Sequence, residues 1–419
     1  MNYNTCTLSN GLRVIHLPLA SPVVYCGYGI AAGTRHEERG EEGLAHFCEH
    51  MTFKGTQRRS AVQIINALEG VGGELNAFTN KEDTVYYAAI SREHFRRAVD
   101  VLTDIVFHST YPQAEINKEV EVICDEIESY NDSPAELIFD EFENMLFEGH
   151  PLGHNILGAA QQLKTYTTAD ALRFTGRHYR PDRMVFFAYG NIDFDKLCRF
   201  LEERARKESA APIDAIDTID SIDSIVSIDT IDAKRTLPTH KTIERGTHQA
   251  HVMLGCRAYS VHHPQRMALF LLNNLLGGPG MNARLNMSLR ERHGLVYTVE
   301  SSMVNYGDTG LWCTYFGCDP ADTNRCLRLV RRELNRLMEK PLSATQLAAA
   351  KRQIKGQLAI ACDNHEQFAL DFAKSYLHHG HERNIEDLFR KIDAISTTQL
   401  QQTANELFAE DNTATLIIQ

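Results

Sequence analysis

Several features that would place a sequence in a specialised class are missing from this chain. No apolar run approaches the ~20 residues that a membrane-spanning helix needs, so we predict no integral membrane segment and no membrane partner. The first residues lack a basic stretch followed by an apolar one, which argues against a secretory signal. The ten cysteines include no C-x-x-C pair, and scattered cysteines in a long chain are typical of reduced thiols. We therefore expect a cytoplasmic protein.

Positive charge is also in deficit. The net charge is −12 at pH 7, which argues against the phosphate backbone of a nucleic acid as the partner. Apolar residues, by contrast, are plentiful at 43%, which excludes a mainly disordered chain and allows a sizeable core. With 419 residues and about 100–200 residues per domain, the chain has room for two or three domains.

One segment near the middle has a composition of its own. From Ile213 to Asp232 the sequence cycles through Ile-Asp-Ala, Ile-Asp-Thr and Ile-Asp-Ser, and this period of three matches neither a helix nor a strand. We interpret the segment as a solvated linker that grew by repeat expansion. The alternative is an acidic segment that attracts basic substrates electrostatically. The segment divides the chain into three predicted parts, which are 1–207, the linker 208–240 and 241–419.

The two flanking parts resemble each other near their C-terminal ends. In each, a Thr-Thr pair and an amphipathic stretch come before a turn, at Tyr179 and at Phe408, and an apolar run follows. This order predicts two homologous domains. Short strand-like runs also mix with long helical patterns in both parts. We predict an α+β fold built of two homologous α/β-sandwich domains.

The stretch with the clearest chemistry contains His46, Glu49 and His50. The two histidines are i and i+4, so on a helix both imidazoles lie on one face and can hold one Zn²⁺. Glu49 shares this face in the order His-x-x-Glu-His, the reverse of the commoner His-Glu-x-x-His. Cys48 points away from both histidines, and we predict a buried thiol that is not a ligand. Taken alone, the motif is also compatible with an exposed turn carrying two ordinary histidines.

A zinc site needs at least a third protein ligand. The helical stretch from Glu115 to Tyr130 carries many acids, among which Glu119 and Glu126 are two turns apart on one partly apolar face. A carboxylate on an apolar stripe is costly unless it is paired or bound to metal. A charged helix with solvated acids remains possible, and the spacing alone does not select Glu126.

Together these segments resemble the pitrilysin/insulinase family of zinc metallopeptidases (inverzincins), nearest the mitochondrial processing peptidase beta-subunit branch. That family carries His-x-x-Glu-His and, on a later helix, a ligand glutamate preceded seven residues earlier by a second glutamate. The resemblance implies that Glu126 is the third ligand of one Zn²⁺ per chain and that Glu119 supports the site. Flanking segments match as well: Gly33-Thr-Arg-His-Glu37, Phe53-Lys-Gly-Thr, Gly72-Gly-Glu-Leu-Asn76-Ala-Phe-Thr79 and Thr84-Val-Tyr-Tyr87.

The resemblance also implies where a substrate binds. Asn76, Ala77, Phe78 and Thr79 match a family edge strand that accepts a peptide by strand addition, and an open sheet edge does offer unpaired backbone groups to an extended peptide. An ordinary hairpin strand is the alternative.

Arg290 and Tyr297 match a family pair that contacts substrate and supports the oxyanion formed during hydrolysis. An arginine and a phenol are suitable donors for developing negative charge. Without the resemblance, they would be interpreted as a surface arginine and a half-buried tyrosine.

The function implied is zinc-dependent hydrolysis of peptides or unfolded segments, with Glu49 as general base. The family also implies a clamshell of four such domains around a chamber, of which one chain supplies half. We therefore predict a homodimer in which Arg290 and Tyr297 complete the partner's site in trans. The alternatives are a non-catalytic subunit of a hetero-oligomer that binds peptides, and a processing peptidase for one dedicated presequence.

Overall fold

The computed structural model describes residues 3–209, 240–380 and 384–419, and the Ile-Asp segment 213–232 lies outside them. These residues form two compact units. The first unit contains 3–128, 154–209, 361–380 and 384, and the second contains 129–153, 240–360 and 385–419. Each unit thus includes one segment from the other half of the sequence, which a division at the linker does not provide.

The strands of the described residues belong to two sheets. In chain order they are β1 (Asn4–Thr7), β2 (Arg13–Pro18), β3 (Val23–Ile30), β4 (Glu74–Thr79), β5 (Thr84–Ser91), β6 (Met184–Gly190), β7 (His240–Ile243), β8 (Ala250–Ala258), β9 (Val296–Asn305), β10 (Gly310–Cys318) and β11 (Ala414–Ile418).

Fourteen α-helices are found among the described residues. In chain order they are α1 (Leu44–Thr52), α2 (Ala61–Glu69), α3 (Phe95–His108), α4 (Gln113–Asn131), α5 (Pro134–Leu146), α6 (Ala160–Leu163), α7 (Thr168–His178), α8 (Phe194–Ser209), α9 (Arg266–Gly277), α10 (Thr323–Glu339), α11 (Ala344–Ala361), α12 (His365–His379), α13 (Ile385–Ala394) and α14 (Thr397–Leu407). Short 3₁₀ turns and a π-helical turn at Asn286–Glu291 connect some of them. Among the described helices, none combines the length and the hydropathy that a membrane span requires.

The sheet of the first unit has the strand order β1-β2-β6-β3-β5-β4. β2 and β6 are parallel, and the other neighbours are antiparallel. β6 is buried along its whole length, as expected for a continuous apolar run at the centre of a sheet. β4 lies at one end of the order and, within the described residues, pairs with β5 alone.

Side chains alternate between the two faces of this sheet. Val14, Tyr28 and Tyr86 belong to a core shared with α1, α2 and α3. Val85 and Phe187 belong to a second core, formed on the opposite face with α12. Both faces of the sheet are therefore covered by helices.

The second unit repeats this plan. Its sheet has the order β7-β11-β8-β10-β9, and α9, α10 and α14 pack on one face around the single tryptophan, Trp312, which lies 4.4 Å from Phe408 between ring centroids. The other face packs on α5 through Leu137 and Phe142. The prediction of an α+β fold with two similar domains is confirmed.

Candidate metal centre

α1 carries the His-x-x-Glu-His motif and is fixed at its first turn. Gly43 precedes it at a φ of +89°, and a Cβ there would lie 2.7 Å from Cα of Gly158, so only glycine fits. The buried carboxylate of Glu37 accepts hydrogen bonds from the backbone N–H groups of Gly43 (3.0 Å) and Ala45 (2.7 Å). Its Oε2 also lies 2.8 Å from Nε2 of His154. Glu37 thus satisfies amides that the helix start leaves unpaired.

Three side chains from α1 and α4 converge beside the motif. His46 and His50 project from one face of α1 with ring centroids 4.6 Å apart. α4 brings in Glu126, whose Oε2 lies 3.5 Å from Nε2 of His50 and 3.9 Å from Nε2 of His46. Among the described residues, these three form the one group of histidine, cysteine and acidic side chains arranged to hold a metal ion. The predicted ligands therefore meet.

The donor set fits zinc. Bonds of ~2.0–2.1 Å at tetrahedral angles place two ligand atoms about 3.4 Å apart, close to the two observed separations. Burial and the neighbouring His50 lower the pKa of His46 to about 3, so its imidazole is neutral and available as a ligand at pH 7. Glu126 is 44% exposed, which leaves the site open on its side.

Glu119 lies behind His50, on the side away from Glu126. Its Oε1 is 3.0 Å from Nδ1 of His50, and its Oε2 is 2.6 Å from Nζ of Lys54. A carboxylate on Nδ1 directs the unprotonated Nε2 of an imidazole toward a metal. Burial opposes the charge on Glu119, but the hydrogen bonds from His50 and Lys54 prevail and lower its pKa. Glu119 thus contacts one of the predicted ligands from outside the cluster.

Glu49 lies beside the cluster but is not one of its three members. The hydroxyl of Thr79 donates to its Oε2 at 2.6 Å, and among the described residues no hydrogen bond to Oε1 is found. Burial raises the pKa of Glu49, against the opposing effect of that hydrogen bond. A buried carboxylate with a raised pKa is a stronger proton acceptor than a solvated one.

The segment proposed to receive the substrate is β4 itself. Leu75 and Ala77 pack toward the core that contains α1, and Thr79 reaches Glu49 from the same face. Asn76 and Phe78 belong to the other face of the strand. Among the described residues β4 is therefore an edge strand, and its last residue contacts Glu49.

Arg290 and Tyr297 lie in the second unit, at the π-helical turn and the start of β9. The guanidinium of Arg290 lies over the ring of Tyr297 at 5.4 Å, and Tyr297 is 81% exposed. The two side chains thus contact each other at a surface of the second unit.

The contact of Lys54 with Glu119 and that of Glu37 with the start of α1 could not be predicted from the sequence. Lys54 and Glu37 stood in matched flanking segments, yet nothing in their spacing assigned Lys54 to Glu119 or Glu37 to the start of α1. His154 carried no signal at all. Cys48 is fully buried with Sγ toward the carbonyl of Ala171 at 4.0 Å, which agrees with its prediction as a thiol outside the site.

Comparison with known proteins identifies the family. Residues 17–160 match the family model described as Insulinase (Peptidase family M16), and residues 165–354 match the one described as Peptidase M16 inactive domain. The uncharacterized zinc protease YmxG of Bacillus subtilis is 31% identical over 414 residues, which are 98% of this chain and 97% of that protein. The chain belongs to peptidase family M16, the insulinase family. All residues of the cluster precede the region that matches the inactive-domain model.

Other M16 relatives agree. An uncharacterized zinc protease of Streptomyces coelicolor is 31% identical over 96% of this chain and 86% of its own length. Among solved structures, a protease from Helicobacter pylori superposes with a TM-score of 0.88 at 21% identity, covering 100% of this chain and 99% of that one. A Pseudomonas fluorescens structure titled as a peptidase M16 inactive domain gives a TM-score of 0.86 at 19% identity, covering 100% and 98%. Both likenesses establish the shared fold.

Proposed function

We propose that this M16 protein is a zinc-dependent endopeptidase that hydrolyses peptides or unfolded segments. The observation that carries the proposal is the convergence of His46, His50 and Glu126 from two helices beside a buried carboxylate, Glu49, that is not needed as a ligand. The names of the relatives, which are zinc proteases, support the choice of metal.

His46, His50 and Glu126 would hold the zinc. When bound, a zinc ion supplies Lewis-acid chemistry, since it lowers the pKa of a water and polarises a peptide carbonyl. Glu119 contacts Nδ1 of His50 and so keeps Nε2 of that imidazole directed into the site. The ion pair with Lys54 holds the carboxylate of Glu119 in this position.

Glu49 acts as the general base. Its Oε1 accepts a proton from the attacking water, and the same carboxyl then delivers that proton to the leaving amine. The hydroxyl of Thr79 keeps the other oxygen in place through both transfers. Because burial raises the pKa of Glu49, the group is suited both to take up a proton and to release it.

The substrate lies as an additional strand along β4. Its backbone pairs with the open edge at residues 76–79, which brings one of its peptide bonds to Glu49 through Thr79. Recognition through backbone groups favours extended, unfolded segments over folded proteins.

The remaining parts of the proposal concern assembly. Two copies of the chain would enclose a chamber, and Arg290 and Tyr297 of one copy would donate to the oxyanion formed in the other. Their exposure and mutual contact support a role that needs a ligand or a partner. The ten free thiols agree with a cytoplasmic location.

The test measures zinc per chain and hydrolysis of a quenched peptide library for wild type, Glu49→Gln and Glu121→Gln. Glu121 lies exposed on α4, so its variant is the control for a change of one charge. We expect one zinc in all three and activity lost at least a hundredfold in Glu49→Gln alone. Zinc without turnover in wild type would instead favour a peptide-binding subunit. Absence of zinc would refute the site.

A further inference from the structure

The face of β4 that points away from α1 borders a cavity. Phe78 on β4 and Tyr87 on β5 form its floor, and α12 with its N-cap residue forms its wall through Asn364, Glu366 and Lys374. All of these residues belong to the first unit. The volume is 480 Å³, which lies within the ~300–1,000 Å³ typical of ligand pockets. We call it the α12 pocket.

The α12 pocket adjoins the proposed substrate strand. Side chains of a peptide paired with β4 would alternate between the two faces of the sheet. One set would point toward α1 and Glu49, and the other set would point over Phe78 into the pocket. Because Phe78 is next to Thr79, the hydrogen-bond partner of Glu49, the pocket would receive a residue close to the cleaved bond.

The pocket is lined by one base, Lys374, and one acid, Glu366, and the base has its ion pair with Asp83. Nζ of Lys374 lies 3.2 Å from Asp83 and 4.6 Å from the ring centroid of Phe78, so this cation already has an acid and an aromatic face. Glu366 accepts one hydrogen bond, from the hydroxyl of Tyr87 at 2.8 Å. Within the described chain no lysine, arginine or histidine forms an ion pair with Glu366. The pocket therefore presents the carboxylate of Glu366 at the hydroxyl end of Tyr87, and the rings of Tyr87 and Phe78 line the same cavity.

We propose that the α12 pocket receives a lysine or arginine side chain of the bound peptide, with Glu366 as its partner. The alkyl part of such a side chain packs on Phe78 and Tyr87, and its charged end reaches the carboxylate. A glutamate side chain meets repulsion from Glu366, and an apolar one leaves that carboxylate unpaired. This inference rests on the proposed function, because it requires a peptide along β4.

The experiment compares matched quenched peptides that carry lysine, its uncharged analogue norleucine, or glutamate at one position, scanned through the positions on both sides of the cleaved bond. The measured quantity is the ratio of kcat/KM for the lysine and norleucine peptides. Since both peptides meet the same preparation, partial loss of folded protein cancels from the ratio. The full-length enzyme is assayed as wild type, Glu366→Gln, Glu366→Lys and Asp371→Asn. Asp371 is exposed on the same helix and does not line the pocket, so it controls for charge.

We expect wild type to favour lysine about tenfold at one position, as a charge-assisted pair at a partly exposed site would give. Glu366→Gln should bring the ratio to about one, Glu366→Lys should shift the preference to glutamate, and Asp371→Asn should keep the wild-type ratio. Hydrolysis without a lysine preference, or a preference that survives in Glu366→Gln, would overturn the pocket while leaving the peptidase intact. If wild type cleaves nothing, the peptidase proposal fails. In that case, fluorescence anisotropy measures the Kd of labelled lysine and norleucine peptides for wild type and Glu366→Gln. Equal Kd values of the two peptides for wild type would refute the proposal that the α12 pocket binds a basic side chain.

Discussion

The contribution of the hydrogen bond between Glu119 and His50 to zinc affinity can be measured. Glu119 is 8% exposed and contacts Nδ1 of His50 at 3.0 Å. The substitution Glu119→Gln keeps the shape and one oxygen acceptor, but it removes the negative charge that both His50 and Lys54 face. We expect zinc binding to weaken, with the three ligands themselves unchanged.

The size of the effect follows from the type of hydrogen bond. A hydrogen bond to a charged group contributes ~1.5–3 kcal/mol and a neutral one ~0.5–1.5 kcal/mol, so the loss is about 1–2 kcal/mol. Since about 1.4 kcal/mol corresponds to a factor of ten, the zinc Kd should rise roughly fivefold to thirtyfold. Solvent screens this contact little because the carboxylate is buried.

The assay is competition for zinc between the full-length apoprotein and a chromophoric chelator at pH 7. Glu115→Gln is the control, because Glu115 lies on the same helix, one turn earlier, and its ion pair is with Lys118 at 2.7 Å. We expect the control to bind zinc as wild type does. A Kd for Glu119→Gln within twofold of wild type, or an equal loss in Glu115→Gln, would refute the role assigned to Glu119.

Two further predictions concern stability. Burial opposes the charge on Asp83, but the hydrogen bond from His378 and the charge of Lys374 lower its pKa from 3.8 to about 2. This lowered pKa corresponds to about 2 kcal/mol of folding free energy. The stabilisation is fully present above pH ~4 and is lost as the pH falls toward 2. Asp83→Asn should therefore lower the free energy of unfolding by about 2 kcal/mol at pH 7, and the difference measured by urea denaturation should shrink below pH 4; a difference that does not change with pH would contradict this. Cys48→Ala should destabilise the protein by about 1–2 kcal/mol through a small cavity yet keep one zinc per chain, and loss of zinc would show that the thiol is a ligand after all.

The sequence determined the local part of the site. His46 and His50 are four residues apart on one helix, and the helical period alone places their rings on one face. Short strand-like runs in the sequence likewise predicted strands near Val23, Val85 and Val185, because a short apolar run bounded by turn residues is typical of a buried strand. Such features depend on neighbours along the chain, which a single sequence shows directly.

Some contacts depended on a known family as well as on the sequence. The periodicity of α4 left several acids open, and the resemblance alone selected Glu126 as the ligand and Glu119 as its support. Among the described residues, the structure brings Glu126 within 4 Å of both histidines and Glu119 to Nδ1 of His50. Spacing could not give this result, because it depends on how α4 packs against α1.

Tertiary structure alone decided the rest. The assignment of 129–153 to the second unit and of 361–380 to the first depends on contacts between residues far apart in the chain. The contact of Thr79 with Glu49 joins residues 30 positions apart. The cap that Glu37 forms on α1 spans only eight residues, but it depends on a loop conformation that the spacing does not give. The α12 pocket exists because Glu366, which follows Phe78 by 288 residues, is folded back over β4. A sequence records which side chains can hold a metal or a charge. Which of them meet is determined by the packing of helices on a sheet, where the apolar faces must be buried together.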